Sequence, residues 1–437
     1  MGHRRPYGGT KVLWGKVPAI DMLQLKDNEG EVNSQDFTLL LASSGDLRNL
    51  VKTINSLPET YSGSCVIMVH LWYSAFLPKD LLQAVQSKIV PPLQELLNLT
   101  QEEPTKLLKK TFSNHNVTLT ATLSRSAWEK ILSNFKCSSS VSFSEASALR
   151  RSVTMAEHRQ DYVDRALFRL PPPWRLAHMR FREDGVLLPF GAARDQFNTP
   201  NPTLFQDTEL WPMADYADPL DGWTLGEILQ TSYGAENDIY GQLHQHVIGF
   251  LRKFCEKLPA LKLNISLLNM DAGSLPKCID MFDGKQQAYD RIDLASVAET
   301  GPQLAEALDS FGPLLKSKKQ NPKATLLTMF PDITLKMRTF ADQKDWLSRK
   351  TAIADYLNFL SAHDLFLNRN AIFNRFIKSA CLTQIGARVD LEMKLKHTVI
   401  AKWPLRLPKS PTKHDFEMLH WSSHHGSERY IEWQRAF

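Results

Sequence analysis

Two short strings in this chain carry the residue types that hold a nucleoside. Ser43-Ser44-Gly45-Asp46 follows the apolar run Phe37-Thr38-Leu39-Leu40-Leu41-Ala42. A strand buried on both faces that ends in a glycine turn lets the backbone approach a ligand, and the amino terminus of the next helix then faces that ligand. Asp271-Ala272-Gly273 follows a second apolar stretch, Leu261 to Met270, and a carboxylate at such a strand end can accept from an adenine amine. The candidate binding residues are therefore Ser44, Gly45, Asp46, Asp271 and Ala272. A single glycine stands where such turns usually have two or three, so a capped helix start with no ligand is an equal reading of the first string.

Other constellations are weaker. Asp215, Asp218 and Asp221 recur every third residue, whereas a calcium loop needs alternating ligands and a distant glutamate, so a turn-rich loop is expected. His414, His420, His424 and His425 lack a cysteine or second glutamate, and His244 and His246 read as surface residues of one helix. No metal site is assigned. Walker, nucleophile-elbow, zincin and kinase motifs are all missing.

The elements that would position the nucleoside residues alternate between strand and helix. Strands are expected at Phe37 to Leu41, Leu263 to Leu268, Ile292 to Ala295 and Thr325 to Met329, all in one mostly parallel sheet, with Val389 to Leu395 joining antiparallel at an edge. His397 to Leu407 is a candidate to return beside that edge strand. Leu47, Leu50, Val51, Ile54 and Leu57 recur at helical spacing after Asp46, a potential cap. Lys79 to Leu99 reads as a helix broken by Pro91-Pro92, Leu119 to Phe135 as a strand and a helix around Trp128, and Cys137 to Ser147 as a serine-rich loop. Between Leu170 and Trp223 so many prolines and glycines occur that regular elements are not expected, yet the aromatics argue for order. Asn237 to Lys257 reads as a long helix.

Composition sets the class. In 437 residues, 52 basic and 47 acidic side chains leave a net charge of +5 without a block of like charges, which argues against a nucleic-acid or membrane surface. Five separated cysteines with no CxxC pair fit a reducing compartment. With no secretory leader pattern and no run of about 18 apolar residues, the expected location is the cytoplasm.

The order Asp271-Ala272, Tyr289-Asp290-Arg291-Ile292, Leu314-Leu315-Lys316 and Ala324 to Phe330 resembles the second half of the class I methyltransferase fold. From about Trp14 onward the chain also resembles an uncharacterised family of fungal proteins sharing the domain of unknown function 4470 with dynein axonemal assembly factor three. The strings carrying this resemblance include Ser44 to Asn49, His70-Leu71-Trp72-Tyr73-Ser74-Ala75, Phe181 to Gly185, Thr199 to Thr203, Asp218 to Trp223 and Gly426 to Trp433. The resemblance implies an α/β, Rossmann-like, doubly wound and mostly parallel sheet with a large loop-rich and helical insert. Its expected parts are 14–64 as the first part of the sheet domain, 65–235 as the insert, and 236–437 as the second part with carboxyl-terminal antiparallel strands.

In the family, Tyr61-x-Gly63-x-Cys65 leads into a second strand and a helix before the His-Leu-Trp-Tyr-Ser-Ala string. Here only Val66-Ile67-Met68-Val69 separates Cys65 from His70, so a strand-plus-helix unit, on the order of 30 residues, is expected to be missing, along with the acid that would hold a ribose. The expected role is a non-catalytic interaction or assembly factor with protein partners and no cofactor. The alternative is an S-adenosylmethionine-dependent methyltransferase.

Overall fold

The computed structural model describes residues 7–30, 35–42, 46–57, 66–98, 104–114, 116–136, 141–206, 209–283, 288–295, 301–339, 342, 368–402, 404, 412–422 and 428–437. The fold is mixed α/β with parallel and antiparallel sheets. Among the described residues the strands, numbered along the chain, are β1 (Leu39–Leu41), β2 (Phe76–Leu77), β3 (Leu107–Asn114), β4 (Val117–Ser124), β5 (Thr199–Pro200), β6 (Leu263–Leu268), β7 (Arg291–Asp293), β8 (Thr325–Phe330), β9 (Leu391–Met393) and β10 (Arg429–Arg435). Two compact units divide them, one of residues 1–18 and 59–269 and one of residues 19–58 and 270–437. The helix Ile239–Lys257 and β6 therefore group with the expected insert rather than with the last part of the sheet domain.

The second unit holds a five-stranded sheet in the order β1-β7-β8-β10-β9. β1, β7 and β8 run parallel, and β10 is antiparallel to both β8 and β9. β8 is buried nearly throughout, as its apolar, β-branched composition requires of an inner strand. Ile20, Met22, Leu327, Val399 and Tyr430 form a core against Leu39 and Leu41.

The expected edge strand is present as β9, antiparallel to β10. Its neighbour is Arg429–Arg435 and not the segment after His397. The Glu432 carboxylate accepts from the backbone N–H groups of Thr398, Val399 and Ile400, and a chain wrapped around a carboxylate in this way cannot supply a ladder.

One expected element lies elsewhere. β6 has the anticipated bounds, yet it pairs in parallel with β4 in a separate three-stranded sheet, β3-β4-β6, so it does not share a sheet with β1. The threonine-rich β4 offers a ladder close by in the first unit, where Leu108, Ala121 and Trp128 pack beneath Leu93 and Leu97.

Three helices also correct the sequence reading. Lys79–Asn98 runs through Pro91 and Pro92 without a break, because its apolar face, Leu82, Val85, Leu93 and Leu97, is buried on both sides of the prolines. Pro172–Asp184 is a regular helix inside the proline-rich stretch. Prolines at its first positions lose no bond, since those N–H groups have no partner within a helix. Gly185, at φ +73°, ends it in the left-handed conformation that glycine takes without strain. The serine-rich segment likewise leads into the helix Phe143–Thr154, with Ser142 and Glu145 forming a reciprocal capping box.

Candidate functional site at the carboxyl ends of β1 and β7

In a doubly wound sheet, ligands lie outside the carboxyl ends of parallel strands. The segment after β1 and the end of β7 meet there. Ser44 and Gly45 lie outside the described residues. Asp46 turns its carboxylate onto Arg48, accepting from the backbone N–H at 2.8 Å and pairing with the guanidinium at 3.0 Å. Leu47 stands at the N-cap of the helix Arg48–Ser56 and makes no side-chain cap bond, while Asp46 one residue earlier takes the first helical N–H and serves as the arginine's counter-ion.

One turn on, Asn49 joins two parts of this unit. Its Oδ1 accepts from the Ile20 N–H at 2.9 Å and its Nδ2 donates to Asp293 at 3.1 Å. Asp293 closes β7, is buried, and takes the Ala295 N–H on its other oxygen at 2.9 Å. Burial pushes its carboxyl above the usual range, while the Ala295 N–H and the Asn49 amide pull it back. Tyr430 lies buried in the same unit, its phenol raised by burial and by the charges of Glu428 and Asp293.

Asp271 and Ala272 stand three and four residues beyond β6. Asp271 is exposed and its carbonyl accepts the N–H groups of Ser274 and Leu275, opening the helix Leu275–Asp283. β6 and β1 lie in different sheets, so no shared sheet sets Asp271 beside Asp46, although both residues fall in the second unit. Asp293 is the residue that sequence reasoning missed. It directly follows the Tyr289-Asp290-Arg291-Ile292 string, three positions past Asp290.

Asp290 and Arg291 work at the opposite end of β7. Asp290 accepts from the Thr38 N–H, Lys316 and Asn321. Arg291 spans the carbonyls of Met22, Leu23 and Lys323 and pairs with both oxygens of Glu29. Both are buried strand-end caps, satisfying backbone groups that the ladder leaves over.

The first unit contains a denser polar cluster. Arg150, from the helix Phe143–Thr154, donates to the Phe181 and Arg182 carbonyls at the end of Pro172–Asp184, each at 2.8 Å. Arg182 returns the arrangement, donating to the Thr154 carbonyl at the end of the first helix and to the Asp215 carbonyl. Each helix thus places a cation on the negative end of the other's dipole. Burial draws the Arg150 guanidinium down to about 9, with Asp184 opposing, so it remains a cation at neutral pH.

Beside this pair, the Tyr240 hydroxyl bridges His178 and Asp218 at 2.9 and 2.8 Å. Arg159 pairs with buried Asp215 at 2.9 Å, so two of the three aspartates at three-residue spacing serve internal bonds. The void among Arg150, Arg182, Asp215 and Tyr240 measures about 10 Å³, the space of one water.

Strings far apart in sequence lock the rest of this junction. Asn201 donates to the His70, Leu71 and Ser74 carbonyls at the end of the helix Val66–Tyr73. Trp223 donates to the Tyr73 hydroxyl at 3.0 Å, and Trp14 and Trp72 exchange indole bonds with each other's segments. Val66 to Val69, the short link left between Cys65 and His70, begins a helix.

His244 is not a surface residue. It is buried 5.8 Å from the ring of His70, and neither of its ring nitrogens has a hydrogen-bond partner among the described residues. Burial lowers both imidazoles to about 4. Helical periodicity places His244 between Leu243 and Val247 on the buried side, a signal visible in the sequence. His246 is only half-buried, and His420 stacks on Phe416; His424 and His425 lie outside the described residues.

A family described as "Domain of unknown function (DUF4470)" matches residues 13–81. That stretch covers Trp14, β1, Asp46 to Asn49 and the His70 to Ala75 string, and so draws on both units. No curated protein and no solved structure matches the chain. Among the described residues no helix is long and apolar enough to cross a membrane, and no group of three or more metal-ligating side chains gathers.

Proposed function

We propose that this protein is a non-catalytic interaction or assembly factor built on a reduced, methyltransferase-like sheet. Support for the sheet comes from β1 and β7, parallel neighbours whose adjoining residues Thr38 and Asp290 are 252 positions apart. Such a pairing flanks the switch point of a doubly wound sheet. β1 is the last strand on its side of the described sheet, the side on which strands two and three would continue.

The observation that carries the non-catalytic reading is how the carboxyl-end groups are used. Asp46 is engaged by Arg48, and Asp293 by Asn49 and Ala295, so a ribose would have to displace internal bonds. Without the acid of a second strand, ribose hydroxyls left unpaired cost about 1–3 kcal/mol each. Protein partners fit a first unit whose distant strings are spent on rigidity. A second reading, an S-adenosylmethionine-dependent methyltransferase, is favoured by one feature, the buried carboxyl of Asp293 at the end of β7.

Isothermal titration calorimetry with S-adenosylmethionine decides between them. No heat of binding is expected at micromolar cofactor. A micromolar Kd that disappears in Asp293→Asn, with the circular dichroism spectrum unchanged, would put the enzyme reading first.

A further inference from the structure

The sheet β3-β4-β6 has two unlike edges. β3 carries Lys109 and Lys110, and lysines on an outer strand discourage pairing with another chain. β6, Leu263-Asn264-Ile265-Ser266-Leu267-Leu268, carries no charge, proline or glycine. It pairs with β4 on one side, and among the described residues no strand pairs with the other.

Its two faces are sorted by polarity. The register sets Leu263, Ile265 and Leu267 beside Val117, Leu119 and Ala121 on the apolar face. Asn264 and Ser266 stand beside Thr118 and Thr120 on the other, where Leu268 beside Thr122 ends the polar run. Asn264 and Ser266 are exposed, and Leu267 keeps 38% of its surface in solvent.

We propose that β6 is the seam of a homodimer, pairing antiparallel with β6 of a second copy about a two-fold axis through Ile265. Under that symmetry Leu263 opposes Leu267 of the second copy and Asn264 opposes Ser266. From Leu263 to Leu267 apolar meets apolar and amide meets hydroxyl, Leu268 faces the Lys262 stem at the end of the strand, and no like charges face each other. A copy of the chain supplies this complement automatically, because the alternation from Leu263 to Leu267 is symmetric about Ile265. The join extends both three-stranded sheets into one of six strands and satisfies the backbone groups on the outer side of β6. A seam one strand long is smaller than the standard interface of about 1,200–2,000 Å², so the dimer is reversible. This inference goes beyond the functional reading and does not depend on it.

Sedimentation equilibrium across about 1–100 μM tests it. The mass is expected to rise from that of one chain toward that of two, and the double variant Asn264→Lys, Ser266→Lys is expected to stay monomeric throughout. Hydrogen exchange on the unaltered chain provides an arm free of mutation, with β6 amides becoming more protected as concentration rises. A monomer at the highest concentration, including the case where the edge serves another protein's strand, overturns the proposal. So does a lysine variant that dimerises as before, or β6 protection that does not change with concentration.

Discussion

Among the described residues no carboxylate is hydrogen-bonded to Arg150, yet it is buried, because three backbone carbonyls at a helix end do the work of an anion. Replacing it with methionine keeps an apolar contact with Phe181 and Trp211 but removes the charged donor from all three carbonyls, of which Phe181 keeps the Gly185 N–H and Arg182 the Thr154 hydroxyl. A loss of about 3 kcal/mol is expected, read as a lower urea midpoint. Lysine should recover little, since one ammonium cannot reproduce the guanidinium fork. Full recovery by lysine would show that charge alone matters.

His70 and His244 set a different sensitivity. Folding lowers both from 6.5 to about 4, so between these values the unfolded chain binds more protons than the native one. Their contribution is whole above pH 6.5 and is lost as pH falls toward 4. The slope reaches about 1.4 kcal/mol per pH unit for each group. Denaturation at pH 7 and pH 5 should show this loss, and His244→Phe should reduce it. An unchanged loss in that variant would assign acid sensitivity to other groups.

At the scale of elements, helix ends were decided by local chemistry that the sequence already contained. Ser142-Phe143-Ser144-Glu145 is a capping-box spacing, hidden by the run of serines before it. Ser142→Ala should cost about 1 kcal/mol through loss of the bond to the Glu145 N–H. Equal urea midpoints for variant and parent would mean that the first turn of this helix is held by packing alone.

The bounds of two strands, by contrast, are legible because their apolar runs end at turns, whereas β1, β7 and β9 are shorter than the segments expected at 37–41, 292–295 and 389–395. β6 and β8 follow their patterns almost to the residue. Which strands would become neighbours was not legible. β6 and β1 are both short apolar strands followed by aspartate, and periodicity carries no information on whether a strand will pair with β4 or β7. The same limit explains the candidate site: Asp46 was found from its turn, whereas its relation to Asn49 and Asp293 exists only once β1 and β7 are adjacent.

At the scale of the whole molecule, both units are assembled from pieces distant in sequence, with chain crossings near residues 18, 58 and 269. The alternation of apolar runs with helical patterns points to an α/β fold, and the mixed sheets agree. The first unit's cross-capped helices could not be foreseen, because an arginine in a helical pattern gives no sign of whose carbonyls it will reach.

The pairing of β1 with β7 has a consequence during synthesis. Thr38 leaves the ribosome 252 residues before Asp290, whose side chain receives its N–H. At about 5–20 residues per second, the Leu39–Leu41 strand waits on the order of ten to fifty seconds without its partner. Simple strand pairing takes microseconds, so the second unit is completed only as the last third of the chain is made. Until then its earliest apolar strand is available to chaperones and to neighbouring nascent chains.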